Sequence, residues 1–177
     1  KNPYSASKAG AEQLGIAFHN TYGLPIVTTN CMNVIGERQH PEKYLPLCIK
    51  KILAGEKVYI HSDPDKNPGT RFYVHARNVA DVSLFLTEKA EAGDKYNLVG
   101  QKELSNLELA QTVADILGKE LNYELVDFHS SRPGHDLRYA LEDTKLWRMG
   151  YKYPVSFEES IKKTIQWTLK NPKWLAD

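Results

Sequence analysis

Cysteine is scarce in this chain: Cys31 and Cys48 are the two thiols among 177 residues. They are too few and too far apart for a metal knuckle or a disulfide framework, which points to a reducing compartment, the cytoplasm. Charge of one sign is lacking too. Lys and Arg number 23 against 22 Asp and Glu, a net charge of +1. That balance excludes the basic stripe of a nucleic-acid-binding surface. No apolar run approaches the ~18 residues of a membrane span, and no charged-then-apolar signal segment opens the chain. A P-loop is absent, because Gly10 and Gly15 are not followed by Lys-Ser/Thr, and G-x-G-x-x-G occurs nowhere. No set of His, Cys, Asp or Glu has metal-ligand spacing, so no metal is expected. With 41% hydrophobic and 25% charged residues, disorder is excluded as well. A chain of this length buries about two-thirds of its unfolded surface without staples.

What is present alternates between helix and strand, the mark of an α/β protein. Asn2-Pro3 opens a helix over residues 4–22, with Gly23 as its stop. Ala6, Gly10, Leu14, Ala17 and Phe18 form its apolar stripe, and Glu12 and Gln13 fall on its solvent face. A β-branched strand follows over residues 24–30, then a helix over 46–53 and a short strand over 58–60. A polar loop covers 62–70, a strand 71–75, a helix 77–90 and a strand 96–99. Ser105 and Glu108 stand in capping-box register at the head of another helix, which Gly118 closes. A strand over 121–126, an irregular loop over 130–139, a short helix near 144–149 and a last helix over 157–169 complete the chain.

Several constellations carry chemistry. Tyr4 and Lys8 stand four apart on one helical face. A free phenol titrates near pH ~10, and a neighbouring ammonium favours the phenolate, which makes such a Tyr a usable proton shuttle. With ten Tyr in the chain the spacing alone reads first as an ordinary surface pair. Arg132, His135 and Arg138 surround a Pro-Gly turn and either converge on a phosphate or form a solvated turn with a structural Arg–Asp pair. Arg71 opens a strand after a flexible loop and reads as an anion ligand or a strand-edge charge. Asn30, Cys31 and Asn33 follow the first strand, at the carboxyl end where α/β proteins place ligands, although Asn there is also a common turn residue. His61 and His75 read as structural histidines, and Trp147, Trp167 and Trp174 as core or interface packing.

These motifs occur in an order that resembles the extended short-chain dehydrogenase/reductase family. Tyr4-Ser5-Ala6-Ser7-Lys8 is similar to its Tyr-x-x-x-Lys motif. The stretch from Thr29 to Gly36, then Pro41 to Leu47, resembles the substrate-contact segment of nucleotide-sugar dehydratases. Arg132-Pro133-Gly134-His135-Asp136-Leu137-Arg138-Tyr139-Ala140 is similar to a signature of dTDP-glucose 4,6-dehydratases, and the ending from Phe157 to Trp174 is similar too. The Arg-Pro-Gly-His-Asp stretch is the specific part, and it turns the reading of that loop toward function. Phe72 and Asn78 stand where relatives commonly have Asp, and Val34-Ile35-Gly36 where Asn-Tyr-Gly is usual.

The resemblance implies the C-terminal part of a Rossmann-like NAD(P)-binding fold plus a small α/β substrate-binding lobe. Residues 1–36 would end the Rossmann-like domain, and 37–177 would be mainly the lobe, with some segments returning to the sheet. The implied lyase reaction is NAD-mediated oxidation at sugar C4 followed by loss of water. A nucleotide-sugar 4-epimerase or a non-catalytic nucleotide-sugar-binding module are the alternatives. Tyr4 would take the C4 hydroxyl proton, and Lys8 would favour its phenolate and bind the nicotinamide ribose, with Asn30 also on the NAD side. Asn33, Lys43, Arg71, Arg132 and His135 would hold the nucleotide and its diphosphate, and the backbone at Val58 and Ile60 would flank the base. The helix of residues 4–22 would join a homodimer. In the family the glycine-rich NAD loop, a catalytic Ser/Thr and an Asp-Glu pair precede the tyrosine. The expectation is therefore a C-terminal half that needs a missing N-terminal half and is inactive alone.

Overall fold

Pro3 sits in the first turn of helix α1 (Pro3–Tyr22), where its missing N–H costs nothing. The computed structural model describes residues 3–127 and 136–176. Strand β1 (Thr28–Cys31) and strand β5 (Lys95–Leu98) pair in parallel, with Thr28 opposite Lys95 and Cys31 opposite Leu98. Between them lie β2 (Asn33–Ile35), α2 (Tyr44–Ala54), β3 (Val58–Ser62), β4 (Thr70–His75) and α3 (Ala76–Lys89). After β5 come β6 (Lys102–Ser105), α4 (Asn106–Leu117), β7 (Tyr123–Asp127), β8 (Arg138–Tyr139), α5 (Thr144–Arg148) and α6 (Phe157–Lys170), then a 3-10 turn over Pro172–Leu175.

Among the described residues the strands form three groups. Besides β1–β5, β4 is flanked by parallel β2, antiparallel β6 and a short parallel β8, and β3 pairs with parallel β7. Two apolar clusters hold them. Ile35, Ile49, Ile60, Leu109, Val113, Ile161 and Ile165 belong to one, built from α2, β3, α4 and α6. Val82, Leu86, Tyr96, Leu98, Leu146 and Tyr151 belong to the other, built from α3, β5 and α5.

The β1–β5 pair is covered on both faces. Alternation puts Val27 and Thr29 toward α3, where Val27 packs on the second cluster and both border a groove with Ser83 and Leu86. Ile26, Thr28 and Asn30 then face α1, and a Cβ added at Gly15 of α1 would meet the Ile26 side chain at 3.5 Å. Glu12 of α1 pairs with Lys95 of β5, and His19 donates to the Leu24 carbonyl at 2.8 Å. Rising residue numbers in α1 meet falling numbers in the strand, so α1 runs antiparallel to β1. The expected solvent position of Glu12 is thereby overturned. Glu12, Gly15 and His19 are the half-buried side of α1, while the stripe of Ala6, Gly10, Leu14, Ala17 and Phe18 is open. The apolar pattern is real, but it marks a face with no partner among the described residues rather than the one laid on the sheet.

Just after β5 the chain passes closely against β4. Gly100 has φ 92°, and a Cβ there would lie 2.3 Å from the Tyr73 carbonyl oxygen of β4. Only glycine lets the two backbones approach so closely. Elsewhere element boundaries follow the sequence within a few residues. The capping box forms in full, with Glu108 N–H on the Ser105 hydroxyl at 3.1 Å and Ser105 N–H on the Glu108 carboxylate at 2.7 Å. Strands β2, β6 and β8 had no sequence signal of their own, and β1 begins four residues later than expected. Trp167 and Trp174 pack together at 6.2 Å, whereas Trp147 is 69% exposed and lies outside both core clusters, which leaves the interface half of its expectation. No helix among the described residues is long and apolar enough to cross a membrane.

Candidate active site

Tyr4, Lys8 and Glu12 follow one another at four-residue spacing on the sheet side of α1. With Glu12 fixed beside Lys95, a helical rise of ~1.5 Å per residue places Lys8 about 6 Å further along. At ~3.3 Å per strand residue, that is level with Asn30 and Asn97. Tyr4 lies about 12 Å beyond Glu12 by the same rise, past the carboxyl ends of β1 and β5. It is 71% exposed, and its carbonyl accepts from the Ser7 hydroxyl at 2.8 Å. Asn30 donates to the Asn97 side chain at 3.4 Å, and Asn97 donates to the Glu142 carbonyl at 2.8 Å. A phenol, an ammonium and two amides thus gather on one face at the carboxyl edge of parallel strands, where α/β folds bind ligands.

A second half-site lies three residues further along the chain from Asn30. A cleft of about 310 Å3 is lined by Asn33, Glu42, Tyr44, Leu47, Tyr59, His61, Arg71, Tyr73 and Asn106. Asn33 and Tyr73 are register partners on β2 and β4, and Arg71 stands two residues before Tyr73 on the same strand face. Tyr44 donates to the Asn106 carbonyl at 2.7 Å, and Tyr73 to the Asn106 side-chain oxygen at 3.0 Å. Burial holds both phenols protonated by raising their pKa values, with the Cys48 thiol adding to the effect. Cys48 itself is fully buried, and burial pushes its thiol up to about 12.

Arg71 is the pivot of the cleft. Its guanidinium donates to the carbonyls of Thr70 at 2.6 Å, Leu137 at 2.9 Å and Asp136 at 2.7 Å, and lies 5.9 Å from the Tyr139 ring. One side chain therefore ties the 136–139 segment to β4. Arg138 adds a two-pronged pair to Glu103 of β6, at 2.8 Å through each oxygen. That hydrogen bonding keeps the Glu103 carboxyl below the usual carboxylate range.

The other expected residues differ in what they offer. Val58 and Ile60 are 1% and 0% exposed with their side chains in the core, so the strand backbone is what these two positions offer a ligand, as expected of them. Strand periodicity turns Tyr59 and His61 toward the cleft, and the alternating burial of β3 is the signal that identifies them. Lys43 is exposed at the N-cap of α2, between the lining residues Glu42 and Tyr44 but not itself among them. Arg132 and His135 lie outside the described residues. Tyr44 lies in the Pro41–Leu47 stretch but was not singled out, and Tyr73 and Asn106 had no functional signal, because the antiparallel β4–β6 pairing and the head of α4 bring them together across the chain.

The residues present fit one end of a dinucleotide. A phenol and an ammonium over the strand ends suit the ribose hydroxyls beside a nicotinamide, while a glycine-rich cradle for the diphosphate does not occur in the sequence.

Comparison with known proteins identifies the fold and family of the chain. The family model described as GDP-mannose 4,6 dehydratase matches residues 1–164. The chain is 37% identical over 180 residues to dTDP-glucose 4,6-dehydratase 1 of Escherichia coli K12, covering 98% of this chain and 49% of that protein. The crystal structure of dTDP-glucose 4,6-dehydratase from Bacillus anthracis str. Ames in complex with NAD superposes with a TM-score of 0.86 at 32% identity, covering 98% of this chain and 54% of the other. The UDP-glucose 4-epimerase of Thermus thermophilus, also in complex with NAD, superposes with a TM-score of 0.81 at 28% identity, covering 94% and 53%. The chain spans about half the length or less of the curated relatives it matches. Its mixed α/β architecture is that of the Rossmann-fold dehydratases and epimerases, and the chain belongs to the GDP-mannose 4,6 dehydratase family.

Proposed function

We propose that this chain carries the proton-transfer dyad and the nucleotide cleft of a nucleotide-sugar 4,6-dehydratase of the dTDP-glucose type. The observation that carries the reading is the placement of Tyr4 and Lys8 over the strand ends that lead, through Met32, into the Asn33–Arg71 cleft. Asn33 lies three residue steps of extended chain beyond Asn30, a span of about 10 Å. A nucleotide sugar with its base and diphosphate at Asn33, Tyr59 and Arg71 would extend its hexose toward Tyr4.

In that arrangement the Tyr4 phenolate takes the proton of the C4 hydroxyl as the C4–H bond breaks to give the 4-ketone. Lys8 holds the phenolate and hydrogen-bonds a ribose hydroxyl from the same helical face. The ketone acidifies C5–H, so that proton and the C6 hydroxyl depart as water. NAD, when bound, supplies the hydride acceptor and returns the hydride within the same turnover. Asn30 lies on the side of this cofactor.

A nucleotide-sugar 4-epimerase is the second reading, supported by the likeness to the Thermus enzyme, and both chemistries use the same oxidation at C4. Residues 1–36 then close the Rossmann-like part, and 37–177 form mainly the substrate lobe, with some segments returning to the sheet as β5 does beside β1. The open stripe of Ala6, Gly10, Leu14 and Phe18 supports a homodimer through α1, and the assembly would be cytoplasmic.

Calorimetric titration with dTDP and with UDP, with and without NAD, tests the reading. Saturable nucleotide binding that does not depend on NAD is expected of this chain. Mass analysis of dTDP-glucose or UDP-glucose after incubation with NAD and the assembled enzyme then separates loss of water from inversion. Absence of binding to either nucleotide would overturn the proposal.

A further inference from the structure

The chemistry above leaves one buried polar cluster without a task. His75, at the end of β4, is 2% exposed and caps α3 by accepting the Arg77 N–H on Nδ1 at 3.0 Å. An accepting Nδ1 carries no proton, so the neutral ring holds its proton on Nε2. That nitrogen lies 3.2 Å from the Glu37 carboxylate and 3.2 Å from the Thr164 hydroxyl of α6. The second Glu37 oxygen accepts from Arg77 at 2.6 Å. Glu37, from the segment after β2, Arg77 from α3 and Lys163 from α6 are the charged groups around the ring. Burial is the main cause that lowers the His75 pKa, which keeps it neutral near neutral pH.

Glu37 also begins the loop that forms one wall of the cleft. Arg38 follows with a left-handed φ of 65°, a strained conformation for a non-glycine residue, and lies 5.8 Å over the Trp167 ring of α6. Gln39 donates to the Val34 carbonyl at 2.9 Å. Within a few residues the chain reaches Glu42 and Tyr44, both lining the cleft. The loop is therefore pinned at three successive residues, and the first pin is the Glu37–His75–Arg77 cluster.

We propose that His75 and Glu37 are positioning residues for the nucleotide cleft: neutral His75 holds Glu37, and Glu37 sets the course of the loop that presents Glu42 and Tyr44. The proposal rests on the reading of that cleft as a nucleotide site. Protonating the ring at Nδ1 breaks the α3 cap and brings a cation against Arg77 and Lys163, with Glu37 left as its one anionic neighbour.

The test compares the whole chain with Glu37→Gln and His75→Asn, titrated calorimetrically with UDP and with dTDP from about pH 8 to about pH 5.5. Asn retains a cap acceptor but loses the contact with Glu37. Glu37→Gln is the milder change, at a side chain 24% exposed. Both variants are expected to bind about tenfold more weakly near pH 8, the scale of one charge-assisted hydrogen bond. The His75→Asn profile should also lose the part of the wild-type fall on acidification that belongs to His75. That difference separates His75 from His61, which lines the cleft, and from the ligand's own phosphate. Amide exchange without ligand should quicken over residues 38–44 in both variants and stay unchanged in the middle of α6. Wild-type binding with unaltered affinity and pH profile in both variants, or unchanged exchange over residues 38–44, would overturn the positioning role. If the wild type binds neither nucleotide, the reading of the cleft itself fails.

Discussion

The Arg71 guanidinium and the Leu137 carbonyl meet at 2.9 Å, joining the middle of the chain to a segment 66 residues later. Arg71 lines the cleft as well, so one side chain both builds the wall and offers charge to what binds there. Arg71→Ala should weaken UDP or dTDP binding by at least tenfold and lower the melting temperature together. The combined loss reflects charged hydrogen bonds worth about 1.5–3 kcal/mol. Arg71→Lys should recover little of either, because an ammonium cannot span carbonyls that a planar fork reaches at once. Calorimetry and thermal unfolding on the same samples check both outcomes.

Tyr4 is exposed, on a helix none of whose described residues is buried. Tyr4→Phe should leave the unfolding free energy within about 0.5 kcal/mol of wild type and the nucleotide affinity unchanged. Turnover of the assembled enzyme should fall by about 10²–10⁴-fold, the contribution of a lost proton shuttle. A drop in nucleotide affinity would instead make Tyr4 a binding residue.

The two thiols should separate cleanly. Cys48 is fully buried, with its thiol pushed up to about 12, while Cys31 is exposed at the end of β1 and only raised by partial burial. A thiol reagent near pH 8 should label Cys31 alone in the native chain and Cys48 only at the rate of unfolding. Mass mapping of the labelled peptides reads this directly. Early labelling of Cys48 would contradict the packing of α2.

At the head of α4, Ser105→Ala should cost about 1 kcal/mol at neutral pH through loss of the cap. The Ser105 backbone N–H and hydroxyl hold the Glu108 carboxyl below its usual range. A lowered folded pKa means that Glu108 contributes its full stabilisation above about pH 4.3, the unfolded value, and loses it as pH falls through the folded one. Glu108→Gln keeps the capping box but removes that acid dependence. Denaturant unfolding at a series of acidic pH values should show a shallower loss for this variant than for wild type.

How much of this was readable beforehand depends on whether a residue acts locally. Ser105 and Glu108 form a local device, and the sequence spacing described it in full. Tyr4 and Lys8 share a helical face, so their alignment was legible, while their height over Asn30 and Asn97 needed the Glu12–Lys95 pair. That pair joins distant segments, and no periodicity announces it. At Val58 and Ile60 the expectation concerned the backbone, and the pleat adds the side chains of Tyr59 and His61, which the alternation of β3 marks. Tyr44, Tyr73 and Asn106 become neighbours only through strand register and helix capping. The stripe on α1 was correctly apolar, yet amphipathicity does not say which surface a helix turns to its own sheet and which to another body.

Gly100 brings backbone against backbone where the strand of one half-site passes the strand of the other. A joint of that kind has no side chain to rotate. A larger residue at position 100 would push first on the Tyr73 carbonyl, and so reach the wall of the cleft from outside its own lining.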